Sequence, residues 1–495
     1  MKKILLIYPS VTCYGSGIVR PNLPMGLMYL TSFLKEKGVD VTLIDSLAEG
    51  YNHQIKKNGG TKYGLSNSEI KNRIKEYKPE IVGISTMFTA YYNDSLELAK
   101  VIKEIDSEIL VVMGGSHVSV DPEIVVKNKY IDIAVYGEGE NTLLEIVKDK
   151  DITKIDGIVF KKGKKIIRNK PRELIKNLDE IPFPAWDVVD LSRYDLGGVF
   201  NMRKPVFPIV SSRGCPGHCL YCSVNSVWRH CWRGRSAKNV VDEIEYLIKN
   251  FGVKEIAFQD DSMSVNKERL ENICEELIKR KINIKWTTPN GIAHWTLDKN
   301  CLKLMKKAGC YRITFGIETG DGELRRWVGK PYSLEQAKDL TIYANNLGFW
   351  TLATNIIGFP YETQNNMEKT FKFAIDSDVD LAFFFRLGPR PGTPIYEIFK
   401  KEGWLMKNKH LLFSEDVACQ TKYFSGKEII EIQNKLYRNF LWKRLLTIKL
   451  IRRIFKKIKS IEDVIYLIKI GLHGIKLVFN LVLSRKTVTS KNLKV

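Results

Sequence analysis

Short runs dense in Ile and Val punctuate the start of the chain, at residues 3–8, 39–45, 80–86, 108–115 and 131–137. Helical patterns lie between them, for example at 24–38 and 94–105. In the second of these, Leu98, Val101, Ile102 and Ile105 share one face. Strand–helix alternation predicts an α/β, doubly wound parallel sheet over residues 1–150, covered on both faces. Ligands of such sheets sit at the carboxyl ends of the strands.

The rhythm breaks at 151–200. Residues 156–160 and 165–168 flank a Lys/Gly turn and read as a hairpin. Ile181-Pro182-Phe183-Pro184-Ala185-Trp186 is stiffened by proline, and the inter-domain linker is placed there. Alternation resumes near 201, with strands predicted at 206–211, 255–259, 282–286, 312–316, 351–357 and 381–385 and helices such as 240–251 and 267–279. These βα units predict a partial (β/α)6 barrel over 201–400, with the loops after the strands gathered on one rim. Residues 401–495 read as a helical, basic C-terminal region.

Composition narrows the class. The chain has 495 residues, 44% hydrophobic and 27% charged, which fits about two to four folded domains rather than a disordered polymer. Its net charge is +22, and residues 441–495 carry 14 Lys or Arg against 2 Asp or Glu. Such a tail attracts anionic lipid, nucleic acid or an acidic partner. No nucleic-acid motif accompanies it, so nucleic acid is not expected as a partner. The nine Cys are odd in number and irregular in spacing, which excludes a secreted disulfide framework and points to a reducing, cytoplasmic location. The N-terminal apolar run leads into Pro9-Ser10 and reads as a strand, not a targeting segment. No run of about 18 apolar residues occurs, so no spanning helix is expected.

The candidate chemistry is concentrated in Ser212-Arg213-Gly214-Cys215-Pro216-Gly217-His218-Cys219-Leu220-Tyr221-Cys222. Cys215, Cys219 and Cys222 follow the first predicted barrel strand with C-x3-C-x2-C spacing. Thiolates are the preferred ligands of iron–sulfur clusters, and three of them on four irons leave one iron open. Two other readings stand beside this one: a zinc site completed by His218 or Cys231, and three structural thiols. Cys231 lies near enough in sequence to reach the rim. Cys231, Cys274, Cys301, Cys310 and Cys419 read as small core residues.

Over residues 201–395 the chain resembles the radical S-adenosylmethionine superfamily, whose C-x3-C-x2-C motif has an aromatic residue before its last Cys, here Tyr221. The resemblance implies a [4Fe–4S] cluster on Cys215, Cys219 and Cys222. Its open iron chelates S-adenosylmethionine, and one electron releases a 5′-deoxyadenosyl radical. It also implies an acidic contact to the methionine amino group from Asp260 or Asp261, where the family's usual glycines are missing. Glu318 takes the place of the ribose-binding carboxylate, and Ile357 and Gly358 that of the adenine-lining segment. Arg386 is a candidate for the methionine carboxylate, with a salt bridge in the barrel wall as its alternative. A reductant such as ferredoxin or flavodoxin is the implied electron donor.

Small residues also follow three strands of the first domain: Gly83-Ile84-Ser85-Thr86, Gly114-Gly115-Ser116-His117 and Gly137-Glu138-Gly139-Glu140. They allow close approach of a flat ligand, although ordinary turn chemistry uses the same residues. No G-x-G-x-x-G follows the first strand, which excludes the dinucleotide pattern. Residues 1–150, including the stretch 24–30, resemble the cobalamin-binding domain joined to radical enzymes. That resemblance implies cobalamin contacts from Ser85, Gly114, Gly115, His117, Gly137 and Gly139. None of the seven His lies in a D-x-H-x-x-G context, so no histidine ligand to cobalt is expected, and His117 is a contact or loop residue.

The implied function is a cobalamin-dependent methyl transfer to an unactivated carbon. The alternatives are a ring-forming or oxidative radical reaction and, from another class, a corrinoid-binding sensor with a degenerate barrel. The substrate expected is a small molecule or a lipid. In 441–483, apolar and cationic residues alternate with helical spacing. They read either as a cap on the barrel or as an interfacial helix making peripheral membrane contact, with the active rim turned toward the bilayer.

Overall fold

The computed structural model describes residues 1–14, 19–57, 60–194, 200–406, 418–445 and 454–483. Part of the expected amphipathic helix, at 446–453, lies outside the described residues, as do the side chains of its second apolar patch.

The first domain is a seven-stranded sheet. Its order is Lys165–Arg168, Ile158–Lys162, Ile133–Val135, Leu110–Gly114, Ile81–Ser85, Ile4–Tyr8, Val41–Asp45. Strands Ile133–Val135 through Val41–Asp45 run parallel. Ile4 and Leu6 face one core while Leu5 and Ile7 face another, and none is more than 1% exposed. Burial on both faces explains why the run is apolar at every position. Two features depart from the sequence reading. The hairpin of the expected linker instead extends this sheet, because Ile158–Lys162 pairs antiparallel with the short Ile133–Val135 and covers its open edge. A small antiparallel sheet of Val11–Tyr14, Gly60–Tyr63 and Gln54–Lys57 was not anticipated. Gln54–Lys57 is exposed throughout and carries no apolar alternation to reveal it.

The second domain is a six-stranded parallel sheet in chain order: Val206–Ile209, Glu255–Phe258, Lys285–Ile292, Cys310–Glu318, Trp350–Ile357, Leu381–Arg386. The third strand begins later than the apolar spacing of Ile282, Ile284 and Trp286 suggests. Lys281, at φ 55°, ends helix Lys267–Lys279 in a Schellman turn, with its amide bonded to Ile278 and that of Ile282 to Leu277. Ile282 thus belongs to the helix cap. Both edges of the sheet are covered. Trp186 of the connecting segment stacks on Phe207 at 4.9 Å, so this stretch is packed core rather than a free tether. At the far edge, helix Gly426–Leu445 sends Gln433 Nε2 to the Phe384 carbonyl at 2.6 Å, and Tyr437 Oη accepts from the Phe384 amide at 3.0 Å.

Helix Ile461–Leu483 docks through Tyr466, which is fully buried against Tyr311 and Trp350. Both partners lie at the amino ends of barrel strands, opposite the rim where ligands sit. Of the two readings of the tail, this packing favours the cap on the barrel. Ile461, Ile465, Ile468 and Leu472 form an exposed stripe on the other side of this helix. Among the described residues no helix is long and apolar enough to cross a membrane.

Candidate functional site

The cysteine loop leaves the first barrel strand and returns through a two-residue bridge, with Ser212 opposite Gly234 and Arg213 opposite Arg233. Gly214 adopts φ +87°, and its amide donates to Asp261 Oδ2 at 3.1 Å. Further anchors tighten the loop: Asn225 Nδ2 donates to the Gly217 carbonyl at 2.6 Å, and the Leu220 amide to the Val328 carbonyl at 3.0 Å. His218 stacks on His230 at 4.0 Å and faces solvent, away from a closing role at the thiols. Cys231 is exposed rather than a core residue, because it sits on the outer limb of the loop, which it meets through its carbonyl against Gly214.

Cys215, Cys219 and Cys222 are half-buried and unbridged. The Gly217 amide donates to Cys215 Sγ at 3.4 Å, and a Cβ on Gly217 would lie 3.3 Å from that sulfur and 3.8 Å from Cys219 Sγ. Burial pushes the Cys222 thiol up to about 11, and the charges of Cys219 and Cys215 push the same way, while the Lys330 cation opposes them. Thiols so crowded hold protons until a cation replaces them. Three soft donors on one glycine-rich loop beside a single buried ammonium fit an iron–sulfur cluster.

Lys330 was not anticipated from sequence. Its Nζ is 3.4 Å from Glu318 Oε1 and 3.4 Å from the Gly316 carbonyl, and it lies 6.0 Å from the centre of the Tyr221 ring. Glu318 ends the fourth strand at φ +66°, a strained conformation for a residue with a side chain. Nothing in local composition marks Lys330, because it follows Glu318 by a helical turn and a loop. Nearby, His294 is buried at the end of the third strand and is held neutral, with its pKa pushed down to about 3 by desolvation and the Lys330 charge.

The other sequence-predicted contacts fall into two groups. Asp260 is 2% exposed, and its oxygens accept from the Ser211 amide at 2.7 Å, Ser211 Oγ at 2.5 Å and Ser212 Oγ at 2.7 Å. These bonds tie the second strand end to the start of the cysteine loop. Asp261 is exposed beside Gly214. Ile357 is buried at the end of the fifth strand, and Gly358 follows at φ +86°. Phe359 meets the Tyr221 ring at 6.0 Å. Arg386 donates to the neutral side chain of Gln433 on helix Gly426–Leu445, a contact that is neither the methionine carboxylate nor the expected salt bridge.

Glu362 closes the fifth-strand turn. Its Oε2 accepts from the Gly358 amide at 2.6 Å and the Phe359 amide at 3.1 Å, while Oε1 has no partner among the described residues. Burial raises its pKa from 4.5 to about 8. Stability from this raised group is complete below pH 4.5 and lost as pH rises through about 8. Glu362→Gln should flatten that decline, whose slope is at most about 1.4 kcal/mol per pH unit. Urea unfolding across the window measures it, and an unchanged slope in the variant would assign the decline to other groups.

On the first domain, Gly115 at φ +117° could not carry a Cβ, which would lie 2.6 Å from the Thr86 carbonyl oxygen. Gly114, by contrast, has ordinary room. Ser85 and Gly114 are paired across neighbouring strands. Gly137, at φ +80°, opens onto free space, and Gly139 lies against Leu30. The Gly137 amide donates to Ser119 Oγ at 3.1 Å. His117 Nδ1 lies 3.1 Å from Thr89 Oγ1, and burial pushes its pKa down to about 4, leaving the ring neutral at pH 7. Met87 and Phe88, 41% and 40% exposed, add an apolar lip beyond Ser85 that the sequence reading missed.

The two rims meet. Helix Ser116–Val120 packs on helix Asn225–Trp228 beside the cysteine loop, and a Cβ on Gly392 would lie 2.8 Å from Val120. The arrangement defines a class: a barrel bearing three thiols, faced by the ligand end of a doubly wound domain. Family models agree, with the radical SAM superfamily matching residues 209–374 and the B12 binding domain matching residues 19–147. An uncharacterised methyltransferase of Pyrococcus horikoshii is 33% identical over 455 residues, covering 91% of this chain and 94% of its own. The cytidylyl-2-hydroxyethylphosphonate methyltransferase of Streptomyces wedmorensis is 27% identical, covering 89% and 90%. The fold is similar to that of the radical S-adenosylmethionine methyltransferase TsrM from Kitasatospora setae, solved with cobalamin and a [4Fe–4S] cluster, with a TM-score of 0.64 at 19% identity over 82% of this chain and 80% of that one.

The chain belongs to the cobalamin-dependent radical S-adenosylmethionine methyltransferase family. Its cofactors are a [4Fe–4S] cluster, S-adenosylmethionine and cobalamin, and it needs a reductant and a substrate. Neither the sensor nor the ring-forming alternative is favoured by these likenesses.

Proposed function

We propose that the enzyme methylates an unactivated carbon of a small molecule that enters between the two rims. The contact of helix Ser116–Val120 with the cysteine-loop side of the barrel carries this reading, because it sets both ligand-binding ends against one space. Cys215, Cys219 and Cys222 hold the cluster. Glu318, steadied by Lys330, takes the ribose hydroxyls; Ile357 and Gly358 line the adenine; the exposed Asp261, one oxygen of which already accepts from Gly214, is the carboxylate that meets the methionine ammonium. Asp260, its oxygens occupied by serine donors, supports the loop from behind. Ser85, Gly114, Gly115, Gly137 and Gly139 form the cobalamin floor, and neutral His117 braces its edge through Thr89 without reaching the metal. The bound cofactors supply a carbon radical and a transferable methyl group. The chain's own task is to orient them and to exclude water.

Methyl-labelled S-adenosylmethionine tests the reading. Label should enter the product, with one S-adenosylhomocysteine and one 5′-deoxyadenosine formed per turnover. Product without label, accompanied by 5′-deoxyadenosine, would replace methyl transfer with a ring-forming or oxidative outcome.

A further inference from the structure

Four charged side chains are buried where the cobalamin-side loop meets the cysteine loop. Arg213 Nη1 donates to Glu138 Oε1 at 2.8 Å and its Nη2 to Glu140 Oε1 at 2.7 Å. Arg233 Nη1 reaches both oxygens of Glu138 at 2.9 Å and the Ile175 carbonyl at 2.7 Å. The Ile175 amide returns a bond to Glu138 Oε2 at 2.7 Å. Side-chain exposures are 2% for Glu138, 5% for Glu140 and 11% for each arginine. Trp228 packs under both guanidinium groups, at 5.5 and 5.9 Å, and Tyr29 lies 5.5 Å from Arg213.

Placement gives the network its meaning. Glu138 lies between the floor residues Gly137 and Gly139 in the loop after the strand Ile133–Val135, and Glu140 follows Gly139 as the first residue of helix Glu140–Val147. Arg213 immediately precedes Gly214-Cys215, and Arg233 is its partner on the returning strand. One carboxylate therefore grips both ends of the cysteine loop. A buried ion-pair network is weak evidence for stability, because desolvation offsets much of the attraction. Its geometry is nevertheless stringent for the two carboxylates, which would be buried bare charges without the arginines, while Nε and Nη2 of Arg233 are buried with no partner among the described residues. Apolar contact would hold two domains together; Arg213, with its two terminal nitrogens fixed on two different carboxylates, also sets their register.

We propose that Glu138 and Glu140 are positioning residues that key the cobalamin loop to the cysteine loop through Arg213 and Arg233, so that each cofactor site is set by the other. The inference rests on the functional reading above, yet part of its test is independent of it. The full-length chain without cofactors is compared with Glu138→Gln, nearly equal in shape but uncharged, and with Arg213→Lys, which keeps the charge but loses the planar pair of nitrogens that bridges Glu138 and Glu140. Hydrogen exchange at 137–140 and at 212–214 should rise together in either variant, by roughly tenfold, while the sheet interiors stay protected. After anaerobic loading, iron and cobalamin contents should hold. The yield of S-adenosylhomocysteine relative to 5′-deoxyadenosine should fall roughly tenfold, because methyl donation to cobalamin needs both sites in register and reductive cleavage needs only one. Glu138→Asp should recover part of that ratio.

Exchange that rises at one loop alone, or an unchanged product ratio, would overturn the proposal. Iron and cobalamin lost in proportion to both products would reduce the network to local folding support, which also overturns it. If the parent chain forms no S-adenosylhomocysteine, methyl transfer fails as a reading, and the exchange experiment still decides the coupling.

Discussion

Cys219→Ala is expected to yield a folded chain that forms no 5′-deoxyadenosine above background and holds well under the roughly four irons of an intact cluster. The physical reason is that the loop supplies three thiols and nothing else nearby replaces one. His218, the neighbouring donor, is stacked on His230 and faces solvent. Cys231 presents its carbonyl to Gly214. Cys215→Ala and Cys222→Ala should behave alike. Cys231→Ala is the informative control and should retain iron and S-adenosylmethionine cleavage, since the residue is exposed and meets the loop through its carbonyl. Loss of iron in Cys231→Ala equal to that in Cys219→Ala would make Cys231 a fourth ligand and bring back a closed, four-thiolate centre. Iron analysis, the visible spectrum and product chromatography read all four variants.

Much of this architecture was legible in the sequence because burial on two faces leaves a continuous signature. Ile4–Tyr8 and Cys310–Glu318 read as strands for that reason. The third barrel strand was misplaced because Ile282 alternates like a strand residue while serving as the apolar contact of a Schellman turn, which only the left-handed Lys281 reveals. The exposed Gln54–Lys57 had no pattern to read. In the site, the three cysteines are adjacent in sequence and could be recognised by spacing. Lys330 and Glu362 act within local turns whose burial, not composition, gives them their role, while the Arg213–Glu138 pairing joins elements 75 residues apart. For the C-terminal helix, the choice between a barrel cap and an interfacial helix was open in the sequence for the same reason. Its amphipathic spacing was visible, but Tyr466 contacts Tyr311 and Trp350, and only the fold sets these at the amino ends of the strands.

Gly214→Ala should be nearly as damaging to the cluster as loss of a cysteine, although it removes no ligand. Two effects act there. At φ +87° a side chain strains the backbone by about 1–2 kcal/mol. The added Cβ would also lie 2.0 Å from the Cys231 carbonyl oxygen and 3.1 Å from Trp228 Cβ. The first of these is backbone and cannot rotate away, so the two limbs of the loop must separate. Separation breaks the Gly214 amide bond to Asp261 and shifts Cys215, the adjoining ligand. Gly163→Ala provides the comparison: this hairpin-turn glycine has φ +61° with nothing within 4 Å, so alanine there meets strain without collision. Gly163→Ala should lower stability by about 1 kcal/mol, the usual scale for this backbone effect, and load iron fully. Gly214→Ala should lose at least about tenfold in iron incorporation, a change worth about 1.4 kcal/mol in the equilibrium between competent and displaced loops, and lose 5′-deoxyadenosine formation in step. Cobalamin binding should persist, since the floor glycines are untouched. Full iron loading in Gly214→Ala would show that the loop closes around the cluster in a different conformation, with Cys231 moved off Gly214.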